Sequence, residues 1–195
     1  MPKTALKTPI TPGVVFTEAT LHEVQELLAQ SIGSVWIGPS GEESTGESVA
    51  HHLEATVTLL DKDGWSPVTV YFQDRHEDQA SDVNPDDESL TVKQMIRAVL
   101  RVLHDGPDIE LDPRRTLDDA LRHVGEDGGD GDPDTARVAG YVLDRLIQAH
   151  TGSANARATA WAERHTRTHA DITALLRAGA RFARAYGPGL ESAAA

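Results

Sequence analysis

Two histidines four positions apart, His165 and His169, come nearest in this sequence to a catalytic pattern. On a helix, this spacing would place both imidazoles on one face, where they could bind zinc with Glu163 or Asp171 as a further ligand. The run reads His-Thr-Arg-Thr-His, so it lacks the glutamate that serves as the base in zinc proteases. If Thr168 caps the next helix, His165 lies outside that helix and the spacing loses its meaning. A metal-dependent hydrolase is therefore an alternative hypothesis, and surface histidines are the simpler interpretation.

Other motifs for binding or catalysis are incomplete. Asp130, Asp132 and Asp134 alternate like the first ligands of a calcium loop, but Thr135 stands where glycine is needed and Tyr141 where glutamate is needed. No glycine-rich phosphate loop and no G-x-S-x-G nucleophile motif occurs. We therefore predict no catalytic residue and no cofactor, and we favour a protein that is not an enzyme.

The charge is unevenly distributed. The chain has a net charge of −13, but residues 137–186 carry eight arginines against three acidic residues, about +5, which leaves about −18 elsewhere. The overall acidity argues against general nucleic-acid binding, which depends on neutralising phosphates. Arg177, Arg181 and Arg184 recur along one predicted helix. They could contact an acidic partner or, in the simpler interpretation, pair with acidic residues of their own chain.

Helices must position these residues. Capping patterns, apolar stripes and stop residues predict helices after Thr20, after Ser44 and ending at Gly64, over 89–104, after Thr116, after Asp132, and from Thr168 to Gly187. Residues 34–38 and 67–72 are short β candidates. We predict a mainly α fold, an irregular or orthogonal array of five or six helices with at most a short two-stranded β-ribbon.

Composition sets the organisation. With 195 residues, the chain suits a single helical domain over 17–187, with a flexible arm over 1–16 and a flexible tail over 188–195. The chain has no cysteine, which excludes disulfides and thiolate metal sites. It also lacks an apolar run of membrane-spanning length and a secretory signal, so we expect a cytoplasmic protein with no membrane partner.

Two tryptophan-bearing segments carry a family resemblance. One is the helix over 52–63 followed by Gly64 and Trp65, and the other runs from Trp161 through Arg167-Thr168 to a Leu-Leu helix at 175–176. Over about residues 47–184 the chain resembles a family of small uncharacterised proteins from high-GC Gram-positive bacteria and their phages. That family usually has Trp-Asn-Asp where this chain has Trp-Ala-Glu. The resemblance implies a compact helical domain whose two tryptophan corners matter for its shape.

The favoured function is that of an accessory or structural interaction protein, of phage or mobile-element origin. It would bind another protein or itself, with a homo-oligomer as one outcome. A further alternative is an acidic regulator of a nucleic-acid enzyme, since loops 74–88 and 105–134 are strongly acidic. The candidate interaction residues are Trp65, Trp161, Arg177, Arg181 and Arg184.

Overall fold

The computed structural model describes residues 13–31, 33–68, 113–127 and 132–189. This part of the chain contains six helices: α1 (Glu18–Ala29), α2 (Gly46–Asp63), α3 (Leu117–Glu126), α4 (Pro133–Thr151), α5 (Ala158–Ala162) and α6 (His169–Tyr186). Its only β pairing consists of two isolated bridges, Ile37 with Glu43 and Trp65 with Arg115. The mainly α prediction is confirmed. None of these helices is long and apolar enough to cross a membrane.

Three helix starts are where the sequence predicts them. Thr116 and Thr168 accept hydrogen bonds from the backbone amides of Asp119 and Asp171, and Asp132 caps α4 immediately before Pro133. At α6 the cap is reciprocal, because the Asp171 carboxylate also accepts from the Thr168 amide at 3.0 Å. Each of these caps satisfies an amide that has no partner within its helix.

Two predicted helix starts are wrong by one to three residues. The cap of α1 is Thr17, whose hydroxyl accepts from the amide of Thr20, so Thr20 already belongs to the helix. The cap of α2 is Thr45, not Ser44. The Ser44 amide instead donates to the carbonyl of Trp36 at 2.8 Å, which keeps Ser44 in the preceding segment. Both errors arise where two hydroxyl residues compete for one capping position.

Helices α2, α4 and α6 form the centre of the core and pack against one another. They come closest at Gly179 of α6, which has no side chain to separate them. A Cβ atom there would lie 2.8 Å from Leu143 Cδ2 and 2.9 Å from Leu53 Cδ1. Both leucines are fully buried. Helix α1 packs mainly on α4, and α3 packs on α2 and α4.

Residues just outside the predicted domain boundaries, in the predicted arm and tail, pack onto the domain. Phe16, assigned to the arm from the sequence, is buried in the core, and the Val14 amide donates to Asp171 Oδ1 at 2.8 Å. At the other end, the Pro188 carbonyl accepts from the Gly46 amide at 2.8 Å. Residues 1–12 and 190–195 lie outside the described part, so the predicted arm and tail there remain predictions.

The segment between α1 and α2 differs from the predicted ribbon. Ile37 of the β candidate pairs with Glu43 across a tight turn, and Trp36 stacks on Phe182 of α6 with ring centroids 6.3 Å apart. Most of the second β candidate (69–72) and the predicted helix over 89–104 fall outside the described residues. The described residues up to Val68 and from Arg114 onward belong to one compact unit.

Candidate functional site

Arg184 of α6 binds two carboxylates of α2. Its Nε lies 3.1 Å from Glu47 Oε2, and its Nη1 and Nη2 lie 2.5 Å and 2.8 Å from the two oxygens of Glu54. These hydrogen bonds hold the pKa of the Glu54 carboxyl below its usual value, against a smaller opposing effect of burial. They also raise the pKa of Arg184. Arg184 therefore agrees with the simpler interpretation of the sequence, in which the arginines of this helix pair with acidic residues of their own chain.

The other two arginines of the predicted stripe are less engaged. Arg181, one turn before Arg184, donates from Nη2 to the carbonyl of Phe16 at 3.1 Å, and its Nε lies 3.9 Å from a carboxylate oxygen of Glu18. Half of the Arg181 side chain is exposed. Arg177 is also exposed and forms no hydrogen bond or ion pair with any described residue. Two guanidinium groups on this face are thus accessible to a partner.

An open groove of about 410 Å³ lies along α2 and α6. Its lining comprises three arginines, one carboxylate and two small apolar residues: Arg177, Arg181, Arg184, Glu54, Val57 and Ala180. Val57 and Ala180 are nearly buried, so the exposed walls are chiefly the arginine side chains. Arginine offers an apolar stem and a planar fork of donors, a combination that suits carboxylates on a polypeptide. We call this surface the α2–α6 groove.

Trp161 cannot serve as the interaction residue that the sequence predicts, because it lies in the core. Its side chain is 2% exposed, and the ring of Phe16 meets it edge-on at a centroid distance of 6.3 Å. The guanidinium carbon of Arg167 lies 4.0 Å from the ring centroid, within cation–π range. Trp161 therefore joins the chain before α1 to the corner between α5 and α6.

Trp65 has mainly a structural position too. Gly64 adopts a positive φ of 87° and turns the chain so that Trp65 packs partly against the core. The adjacent Arg115 binds Asp63 at 2.8 Å and Asp119 at 3.2 Å, which ties the end of α2 to α3. A hydrogen bond to Asp63 is the main reason that the pKa of Arg115 is raised. Contact of Trp65 with a partner stays a prediction.

The two histidines of the zinc hypothesis do not share a helical face. Because Thr168 caps α6, His165 lies in the turn before the helix and His169 is its first residue. The imidazole Nε2 of His169 faces Asp61 Oδ1 at 3.4 Å. No group of three histidine, aspartate or glutamate side chains in the described residues could hold a metal ion. The geometry thus offers the metal hypothesis no support.

The aspartates of the calcium-like pattern have structural partners where they are described. Asp132 accepts from the amide of Thr135 at 2.8 Å as the cap of α4. Asp134 accepts from the Ser40 amide at 3.1 Å and from its hydroxyl, which anchors the turn before α2. Asp130 lies outside the described residues. These contacts support interpreting the pattern as structural.

Sequence reasoning missed the acidic side of the groove. Glu47 and Glu54 are seven residues apart, which places them on one face of α2. That spacing is visible in the sequence, but nothing in it shows that this face of α2 lies beside Arg184. The anchoring of Val14 by Asp171 was also missed. It joins residues 157 positions apart, far beyond any local pattern.

The model of a family of unknown function (DUF6197) matches residues 44–182. The match begins just before α2 and ends at Phe182 within α6, so it contains all of α2 and most of α6 but not Arg184. It covers nearly the same residues as the resemblance that we identified from the tryptophan segments. Neither the curated proteins nor the solved structures gave a match.

Proposed function

This chain belongs to the DUF6197 family, and since that family has no known function, we propose a function from the chain's own surface. The protein is a non-enzymatic accessory or structural protein of the cytoplasm. It is of phage or mobile-element origin, and it acts by binding another protein or a second copy of itself through the α2–α6 groove.

One observation carries this proposal: Arg177 and Arg181 are exposed on an acidic protein without full compensation by the described residues. They lie four positions apart on α6, where like charges destabilise a helix by about 0.2–0.5 kcal/mol. The neighbouring Arg184 shows that carboxylates on α2 can neutralise an arginine of this helix. A partner that supplies carboxylates to Arg177 and Arg181 would remove the remaining repulsion.

Several described carboxylates have structural partners, which favours a binding function over catalysis. The buried carboxylate of Asp171 accepts from the Thr168 amide and completes the capping box of α6, and Asp63, Asp119 and Asp144 are held in ion pairs with arginines. The described residues that line the groove comprise a paired carboxylate, guanidinium groups and two apolar side chains, and no histidine is among them. These groups can hold and orient a charged partner, whereas proton transfer near neutral pH usually needs a group that titrates there.

The proposal is tested by partner capture with matched variants. The molar mass of the purified protein is first measured by light scattering, which detects self-association. The metal content of the same sample is measured as well. Immobilised wild type, Arg177→Ala/Arg181→Ala and Arg137→Ala are then exposed to extract of the producing cells. Arg137 is a suitable control because it is exposed on α4 and outside the groove.

We expect either a discrete oligomer or a protein retained in stoichiometric amount, and we expect the double variant to lose it while Arg137→Ala keeps it. Equal capture and equal mass for all three proteins would show that the groove is not the binding surface. A stoichiometric metal ion lost on His165→Ala or His169→Ala would favour the hydrolase alternative instead.

A further inference from the structure

We infer that the α2–α6 groove accepts an acidic, extended polypeptide segment of another protein, with acidic residues at alternate positions that pair with Arg177 and Arg181. This inference rests on the proposed function and adds the chemistry of the partner to it.

The spacing of the two arginines sets the spacing of the acidic residues. Four residues of α-helix rise about 6 Å, which is the axial distance between Arg177 and Arg181. In an extended chain, alternate residues lie about 6.6 Å apart and point to the same side. An Asp/Glu–x–Asp/Glu segment laid along α6 can therefore present one carboxylate to each guanidinium. Carboxylates also match the fork of donors that arginine offers.

The surroundings of the groove favour a carboxylate segment over a nucleic acid. Glu47 and Glu54 border it at Arg184, and Glu18 lies near Arg181. A continuous run of phosphates would meet these carboxylates as well as the −13 charge of the chain. Among the residues that the structure describes, the groove lining also includes no aromatic side chain on which a base could stack. A short acidic segment can contact the two accessible arginines and end before Glu47 and Glu54, so that of these three carboxylates it meets only the exposed Glu18 beside Arg181.

Arg184 marks the end of the proposed peptide site toward the C-terminus of α6. Its donors are already bound to Glu47 and Glu54, so a partner carboxylate would have to displace one of them. Arg177 has no described partner to give up, and Arg181 has one carbonyl bond and a 3.9 Å contact to an exposed carboxylate. The two accessible arginines therefore define a two-carboxylate site.

The test uses two fluorescein-labelled peptides in anisotropy titrations, one with a single Glu-Ser-Glu step between short neutral Gly-Ser flanks and one with Gln-Ser-Gln in the same place. We expect the full-length protein to bind the acidic peptide and not the neutral one, with weaker binding at higher salt. Each exposed ion pair contributes only a few-fold to affinity, because solvent screens it. Arg177→Ala/Arg181→Ala should therefore bind about two- to thirtyfold more weakly, and Arg137→Ala as tightly as wild type.

The binding site is located by NMR, from the changes in backbone amide chemical shifts when the peptide is added. We expect these changes along residues 177–184 of α6. Since Arg177 has no described partner, Arg177→Ala alone should fold normally and still weaken binding, which keeps the test valid if Arg181→Ala disturbs Phe16.

Several results would overturn the inference: equal binding of the neutral peptide, no effect of Arg177→Ala, or tighter binding of an oligothymidylate at the same residues. Self-association that requires Arg177 would identify a second copy as the occupant and would also overturn it. Partner capture that depends on Arg177 and Arg181, without binding of the acidic peptide, would contradict this inference while leaving the proposed function intact.

Discussion

The contact between the start of α2 and the end of α6 depends on Gly46, and Gly46→Ala should therefore destabilise the protein. The Gly46 amide donates to the carbonyl of Pro188 at 2.8 Å. An added Cβ atom would collide with the carbonyl oxygen of Ala183 and lie 2.9 Å from Gly187 Cα. Both neighbours are backbone atoms, so no change of rotamer relieves the collision. One of the two helix ends must move.

The magnitude follows from two opposing effects. Adding a methyl group to a well-packed site costs about 1–3 kcal/mol when the backbone has to shift. Alanine gains up to about 1 kcal/mol over glycine inside a helix, and less at the first helical position that Gly46 occupies. We expect Gly46→Ala to lower the free energy of unfolding by about 1–2 kcal/mol. Gly140→Ala is the matched control because a Cβ there meets nothing within 4 Å. It should raise that free energy by about 0.5–1 kcal/mol.

Urea denaturation followed by circular dichroism at 222 nm measures both changes. The midpoints should rank Gly140→Ala above wild type and wild type above Gly46→Ala, with similar slopes for the three proteins. A Gly46→Ala protein as stable as wild type would refute the reasoning, because it would show that the two helix ends separate without cost. A destabilised Gly140→Ala would show instead that the helix-propensity argument fails in α4.

Three further predictions concern the ion pairs and the packing at the ends of the domain. Burial alone would raise the pKa of Asp171, but its hydrogen bonds outweigh burial and hold that pKa below the usual 3.8. The folded carboxyl thus resists protonation, and its contribution to stability is present above about pH 4 and is lost as the pH falls further. Asp171→Asn should therefore lower the free energy of unfolding by about 1 kcal/mol at pH 7. This difference from wild type should shrink at pH 3. A difference that stays constant between the two pH values would contradict this role of Asp171. Phe16→Ala should lower the free energy of unfolding in urea by about 3 kcal/mol, because Phe16 is buried against Trp161. It should also speed proteolysis of the N-terminal segment. An unchanged urea midpoint would show that this segment is not anchored to the domain. A double-mutant cycle with Glu54→Gln and Arg184→Met should give a coupling free energy below about 1 kcal/mol, since both side chains are more than one-third exposed. A larger coupling would mean that solvent screens this ion pair less than expected.

Local patterns in the sequence predict much of the fold. The caps at Thr116, Asp132 and Thr168 were found because a cap involves only a residue and an amide three positions later. Apolar stripes likewise identified the buried faces of α2, α4 and α6. The starts of α1 and α2 were displaced where neighbouring hydroxyl residues compete. At α2, the hydrogen bond from Ser44 to Trp36 decides between them.

The candidate site was only half visible in the sequence. The spacing of Arg177, Arg181 and Arg184 is a helical pattern, and it correctly placed the three arginines along one helix. Which of them are available to a partner depends on α2, whose Glu54 lies 130 residues from Arg184. Trp161 was misassigned for a similar reason, since a tryptophan on a short helix is compatible with either the surface or the core.

The sequence by itself thus determined five of the six described helices, three of their caps, and the contrast between an arginine-rich C-terminal region and an acidic remainder. These properties arise from interactions within a few residues or from composition. The tertiary structure alone decided that Glu47 and Glu54 neutralise Arg184, that Phe16 and Arg167 enclose Trp161, and that Arg177 stays exposed. Those outcomes depend on which helix faces meet, and that is set by packing the whole core at once.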